Sequence, residues 1–165
     1  MSRYKYSPNA DGVEKLAQDV ESIFTEENFP GVDAGYLDAA SHFYGQAYAT
    51  KKYGYGIARA AGIYNEARGH FMKGHTIPAT RADFENNKRG RNYFLENDEA
   101  ETYLNLLEEG IIDGPENMRQ TAKDSLINNA INHTVYAPMA VKIDDMSDRN
   151  RYSMDRILKF VEEAW

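Results

Sequence analysis

Asp38 and His42 stand four residues apart, and Asp83, Asn86, Asn87 and Gly90 stand at i, i+3, i+4 and i+7. In a helix each set shares one face. A carboxylate one turn from an imidazole orients the ring as a general base or as a metal ligand. Glu66 lies between the two sets, on a segment whose other face is Ala58, Ala61 and Gly62. Buried there, its carboxyl would rise toward the range that suits proton transfer near neutral pH. Asp83, Asn86 and Asn87 offer the hard oxygens that Mg²⁺ or Ca²⁺ accepts, and Gly90 lets a second backbone or a substrate come close. The candidate catalytic groups are therefore His42, Glu66 and Asp38. Asn86, Asn87 and Tyr44 are candidate substrate contacts, and Asp83 is the candidate ligand for a divalent metal, Mg²⁺ or Ca²⁺.

Each piece also has a structural reading. Asp38 can be the N-cap of its helix with His42 a core histidine bonded to it, and Glu66 can pair with Arg59 or Arg68 at the surface. His70 and His75 are not at a helical ligand spacing and read as loop histidines.

The elements that must position these groups follow from periodicity and punctuation. Residues 1–11 read as an extended arm. Val13, Leu16, Val20, Ile23 and Phe24 form a helical stripe between Gly12 and Thr25, closed by Pro30-Gly31. Asp38 can start a second helix that runs to about Tyr53, ended by Gly54-Tyr55-Gly56, and a third covers about Ile57 to Met72. Alanines in both allow close approach. Gly69 to Pro78 reads as a loop, after which Thr80 can cap a helix from about Arg81 to Glu96. Asn97 or Asp98 begins another, with Tyr103, Leu104 and Leu107 as its apolar stripe and Gly110 as its end. Pro115 takes the first position of a further helix that carries Met118, Leu126, Ile127, Ala130 and Ile131 and stops near His133. Val135 to Ile143 is a linker or at most one short edge strand, because of Pro138, and Ser147 with Asn150 starts a final helix through Val161. The sum is an all-α chain of six to seven helices with little or no strand, read as one domain over residues 1–165 because no repeat or low-complexity linker divides it.

Composition narrows the function classes. A chain of 165 residues and 18.8 kDa buries a full core without a metal or disulfide staple. With 42% hydrophobic and 27% charged residues and a mean hydropathy of -0.69, it is globular and holds no membrane span. The opening residues Met1 to Tyr6 lack the apolar core of a secretory signal, which predicts a cytoplasmic protein or one exported without a signal peptide. The absence of cysteine excludes disulfides, thiolate zinc sites, Fe–S clusters and a cysteine nucleophile. A net charge of -7 and pI near 5.1 argue against nucleic acid as a partner. The one basic run, Lys88-Arg89-Gly90-Arg91, reads first as the solvated side of a helix and second as a local anion contact. Twelve tyrosines suit a core that borders a polar pocket or a protein partner's surface. No phosphate-binding glycine loop, dinucleotide fingerprint, nucleophile elbow or His-Glu-x-x-His is present.

The run Asp38-Ala39-x-x-His42, then Ala47, Gly54 or Gly56, Ala58, Gly62 and Glu66, then Asp83-x-x-Asn86-Asn87-x-x-Gly90, covers about a third of the chain. It resembles a family of helical domains of unassigned function found at the C-termini of bacterial polymorphic toxins and as small free-standing bacterial or phage proteins. The chain departs from that pattern in a longer loop between Glu66 and Asp83. It also has Phe43-Tyr44 after the histidine, where the family often has an arginine before it and a tryptophan nearby after it. The resemblance implies that Asp38, His42, Glu66, Asp83, Asn86 and Asn87 converge. It favours a hydrolase-like toxin or effector acting on a cell-envelope polymer or lipid precursor. The alternative is a non-catalytic phage or mobile-element protein whose polar cluster only fixes helix packing.

Overall fold

A computed structural model describes residues 8–73 and 77–138, and among them the chain is all-α, as the periodicity predicts. Six α-helices follow one another: α1 (Pro8–Ile23), α2 (Ala34–Tyr53), α3 (Tyr55–Lys73), α4 (Ile77–Glu96), α5 (Ala100–Asp113) and α6 (Gln120–His133). A single 3₁₀ turn, Pro115–Asn117, sits between the last two. Helix α2 is the hub. It packs most extensively on α4 and also touches α1, α3 and α6.

The stripe Val13, Leu16, Val20, Ile23 and Phe24 is buried, and it meets Phe43, Tyr44 and Ala47 of α2 and Leu104 and Leu107 of α5 in one core. Phe24 stacks between Phe29 and Tyr44, with ring centroids 5.3 and 5.5 Å away. Such offset aromatic contacts add to the area term of burial. Leu126, Ile127 and Ala130 of α6 close the core, whereas Ile131 is exposed.

Several boundaries differ from the sequence reading. The N-cap of α2 is Asp33, whose carboxylate accepts a 2.8 Å bond from the Gly35 N–H. Asp38 lies inside the helix and does not cap it, because the chain already turns helical at Ala34. Helix α1 begins at Pro8, so an arm of eleven residues is too long, and residues 1–7 lie outside the described ones. The expected loop from Gly69 is helical to Lys73, and α4 begins at Ile77. Thr80 therefore sits buried inside α4 and is not its cap. Pro78 fits there because a first-turn residue has no intrahelical N–H bond to lose. His70 is part of α3, and His75 falls outside the described residues.

Helix α5 starts at Ala100, where Asn97 Oδ1 accepts from the Glu99 N–H, and runs past Gly110 to Asp113. Pro115 opens the 3₁₀ turn, and α6 proper starts at Gln120. Gly54 and Gly114 take φ of 91° and 87°, which stops α2 and α5 where a Cβ would be strained. Residues 134–138 are extended and cross the start of α2, with the Ala137 N–H on the Gly35 carbonyl. The rest of the expected linker and the final helix from Ser147 lie outside the described residues.

Candidate functional site

Helices α2, α3 and α4 meet so that side chains from all three surround His42. Its Nδ1 lies 3.0 Å from Asn87 Oδ1 and 3.3 Å from Glu66 Oε1. Its Nε2 lies 3.3 Å from Asp83 Oδ1 and 3.7 Å from Asp38 Oδ1. Asn87 Nδ2 donates 3.2 Å to Glu66 Oε1, which closes a small ring of bonds behind the imidazole. The two edges of the ring differ in access. Glu66 and Asp83 side chains are 3% and 5% exposed, His42 is 18% and Asp38 49%, so Asp38 is the part of the cluster most open to solvent.

This closeness comes from α4. Its Asp83, Asn86, Asn87, Gly90 face is buried against α2, although every side chain on it is polar or absent. A Cβ on Gly90 would run into the backbone carbonyl of Phe43. The glycine thus sets how near α4 approaches the turn of α2 that carries His42. Such a face is tolerated only because its polar atoms find partners.

The partners do not all belong to the His42 group. Asn86 turns away from it: its Nδ2 donates 2.9 Å to the Val135 carbonyl and its Oδ1 accepts 2.8 Å from the Val135 N–H. Read as a substrate contact from sequence, Asn86 instead clips the extended segment after α6. Tyr44, also read as a substrate contact, is fully buried in the core. Its hydroxyl donates 2.7 Å to the Leu126 carbonyl and accepts 3.0 Å from Asn129 Nδ2. Glu66 does not pair at the surface. It is buried, as its alanine and glycine face allowed, and it lies beside His42 and Asn87.

Arg91 overturns the reading of Lys88 to Arg91 as a solvated face. It is 1% exposed, its Nη1 donates 2.9 Å to Gln46 Oε1, and its guanidinium lies 5.5 Å from the Tyr55 ring centroid. Only Arg89 of that run behaves as expected, bonding Glu85 one turn away at 2.8 Å. The sequence signal for Arg91 was its place next to Gly90, at the edge of the buried face. Gln46, four residues after His42, carried the matching signal on α2.

No family model, curated protein or solved structure matches this chain. The chemistry must therefore be argued from the site itself. Among the described residues no helix is long and apolar enough to cross a membrane. A groove of about 500 Å³ beside Leu106, Met118 and Arg119 shares no residue with the His42 group.

Burial presses His42 toward its neutral form, but the Asp83 and Glu66 carboxylates outweigh it and hold the imidazole well above its ordinary range. Burial would raise Glu66, and the imidazolium and the Asn87 amide together bring it below the usual carboxylate range. Asp83 is raised to about 9, first by burial and then by the Glu66 and Asp38 charges, against the pull of His42. In protein stripped of divalent ions, these shifts fix the sign of the pH response. The raised His42 and Asp83 bind protons more tightly folded than unfolded, so their contribution is lost as pH rises through their folded values. The lowered Glu66 acts oppositely, its contribution lost as pH falls through its folded value, below 4.5. Thermal midpoints should therefore decline between pH 6.5 and about 9. Asp83→Asn, which mimics the protonated acid, should flatten that decline, and an equal slope in both proteins would contradict the assignment.

Proposed function

We propose that the chain is a hydrolytic enzyme of toxin or effector type whose reacting edge is His42 Nε2 with Asp38 and Asp83. The observation that carries this reading is the asymmetry of the imidazole. One edge is held in a buried ring by Glu66 and Asn87, and the other faces two carboxylates, buried Asp83 and half-exposed Asp38. A scaffold histidine needs the first edge alone. A general base needs both, one to fix the ring and one to meet a water and the bond it attacks. Glu66 and Asn87 are positioning residues in this scheme, since they touch the ring on the side away from solvent.

The toxin-family resemblance favours a cell-envelope polymer or lipid precursor as substrate. Purified protein incubated with cell-wall sacculi and with polyprenyl-phosphate precursors, followed by mass spectrometry of soluble products, tests this directly. Growth arrest on expression, with and without an export leader, extends the test to other substrates. His42→Gln should lower turnover or toxicity by about 100-fold or more per amount of folded protein, the usual scale for a lost acid–base group. Wild type and His42→Gln behaving alike in both assays would end the enzymatic reading and leave a packing cluster.

A further inference from the structure

The Nδ1 edge of His42 faces Glu66 Oε1 and Asn87 Oδ1, both acceptors, so in the neutral ring the proton belongs on Nδ1. Nε2 then presents a lone pair. Across from it stand Asp83 Oδ1 and Asp38 Oδ1, and the three atoms lie within 4.8 Å of one another. With the ring neutral and both carboxyls ionised, the state that a cation would bind, three acceptors share one point with no donor among them. Asp83 Oδ1 is buried and lacks any hydrogen-bond partner among the described residues. A buried carboxylate oxygen aimed at two other acceptors needs either a proton or a cation between them, and a divalent ion would displace the proton.

The spacing admits a divalent ion, and the donor set says which kind. Tetrahedral bonds of 2.0–2.2 Å put neighbouring ligand atoms about 3.4 Å apart. The Nε2 distances to Asp83 and Asp38 are 3.3 and 3.7 Å. An imidazole nitrogen with two carboxylates suits a borderline ion, whereas Ca²⁺ takes six to eight oxygens and Mg²⁺ keeps most of its waters. Behind the ring, Glu66 supplies the carboxylate that a metal-bound histidine ordinarily meets on its other nitrogen. Asp38, at the solvent-facing edge, leaves room for a water as a fourth ligand.

The geometry points to a divalent transition-metal site of the zinc class, formed by Asp38, His42 and Asp83, with Glu66 and Asn87 fixing the histidine from behind. This rests on the hydrolytic reading and changes one role in it: with Nε2 bound to the ion His42 is a ligand, and the water acidified by the ion would take the place of the base. Binding can be measured without turnover, so the two proposals fail separately.

Tag-free protein, stripped with EDTA, is titrated with Zn²⁺ against a chromophoric chelator, with Mg²⁺ and Ca²⁺ as separate probes and Co²⁺ as a spectroscopic one. Expected are stoichiometric Zn²⁺ binding, an intense visible Co²⁺ spectrum of tetrahedral type, and no competition from Mg²⁺ or Ca²⁺. Glu66→Gln should weaken binding by about 10- to 100-fold while keeping the stoichiometry. Asp38→Asn and His42→Gln should weaken it further. Asp38 is half-exposed, so its variant should fold normally by circular dichroism, and Zn²⁺ should raise the unfolding midpoint of wild type but not of Asp38→Asn. Absence of stoichiometric Zn²⁺ binding, or equal binding in Asp38→Asn and His42→Gln, overturns the site. Zinc bound without turnover on any substrate leaves the site standing and removes the hydrolytic reading; turnover by protein that binds no Zn²⁺ does the reverse.

Discussion

Replacing Glu66 with alanine should cost about 3–5 kcal/mol of folding stability, the range for removing one partner of a buried charge pair. The side chain is 3% exposed and accepts from Asn87 Nδ2 at 3.2 Å while facing His42 Nδ1 at 3.3 Å. Its removal strands a buried amide donor and takes away the charge that helps hold the imidazolium. For a chain of this size each kcal/mol moves the thermal midpoint by roughly 2–4 °C, so a fall of about 10 °C is expected. Glu66→Gln keeps the shape and one acceptor and should lose clearly less. A Glu66→Ala protein melting within about 2 °C of wild type would mean that the carboxylate is not paired as the structure places it. Urea unfolding at neutral pH measures the same difference without heating.

The second large effect belongs to Gly90. Alanine is the better helix former by about 1 kcal/mol, so on intrinsic propensity Gly90→Ala would stabilise α4. Against that, its Cβ would collide with the Phe43 carbonyl oxygen and lie within 3.1 Å of the Phe43 Cα. These are backbone atoms of α2 and cannot rotate aside. Overpacking of this kind costs about 3 kcal/mol, so the steric loss wins and a net destabilisation of roughly 2 kcal/mol is expected. Moving α4 outward also draws Asp83 and Asn87 away from His42, so any function of the cluster should suffer beyond the stability loss. Gly45 on α2 provides the contrast, because nothing lies within 4 Å of its would-be Cβ. Gly45→Ala should be neutral or stabilising by up to about 1 kcal/mol. Chemical denaturation of the two variants side by side checks both signs, and equal behaviour would contradict the close helix approach.

The two glycines show what a sequence conveys and what it withholds. Both stand in helices, and only the neighbour across the gap distinguishes them. The same limit runs through the candidate site. The spacing of Asp38 and His42, and of Asp83, Asn87 and Gly90, was legible because period 3.6 converts directly into a shared face. Which of Asn86 and Asn87 would turn toward His42 was not legible, since adjacent residues differ by about 100° around the axis and the crossing of α4 on α2 decides between them. Tyr44 looked like a pocket residue because its hydroxyl needs a partner. Asn129 and Leu126, more than eighty positions later, satisfy it inside the core. Arg91 was misread for a related reason: a charge run suggests water, whereas partners on neighbouring helices, Gln46 and Tyr55 among them, make its burial tolerable. Helix existence was legible throughout, whereas ends were not. Asp33 and Asp38 are both sound capping residues, and the choice between them depends on where Pro30-Gly31 releases the chain.

The Asn86 clip bears on how this protein can be divided. Its amide gives the Val135 peptide the two bonds that a neighbouring strand would give, and Tyr136 adds a 2.8 Å bond to the Asp33 carboxylate. Ala137 packs with Ala39 and Ala82, the residues next to Asp38 and Asp83. The two helices that carry the candidate site, α2 and α4, are thus tied to chain that follows Asn86 by 49 positions. An excised fragment of the three central helices would expose the buried Asn86 amide and Ala39 to water, so minimal versions of this protein should retain the segment after α6.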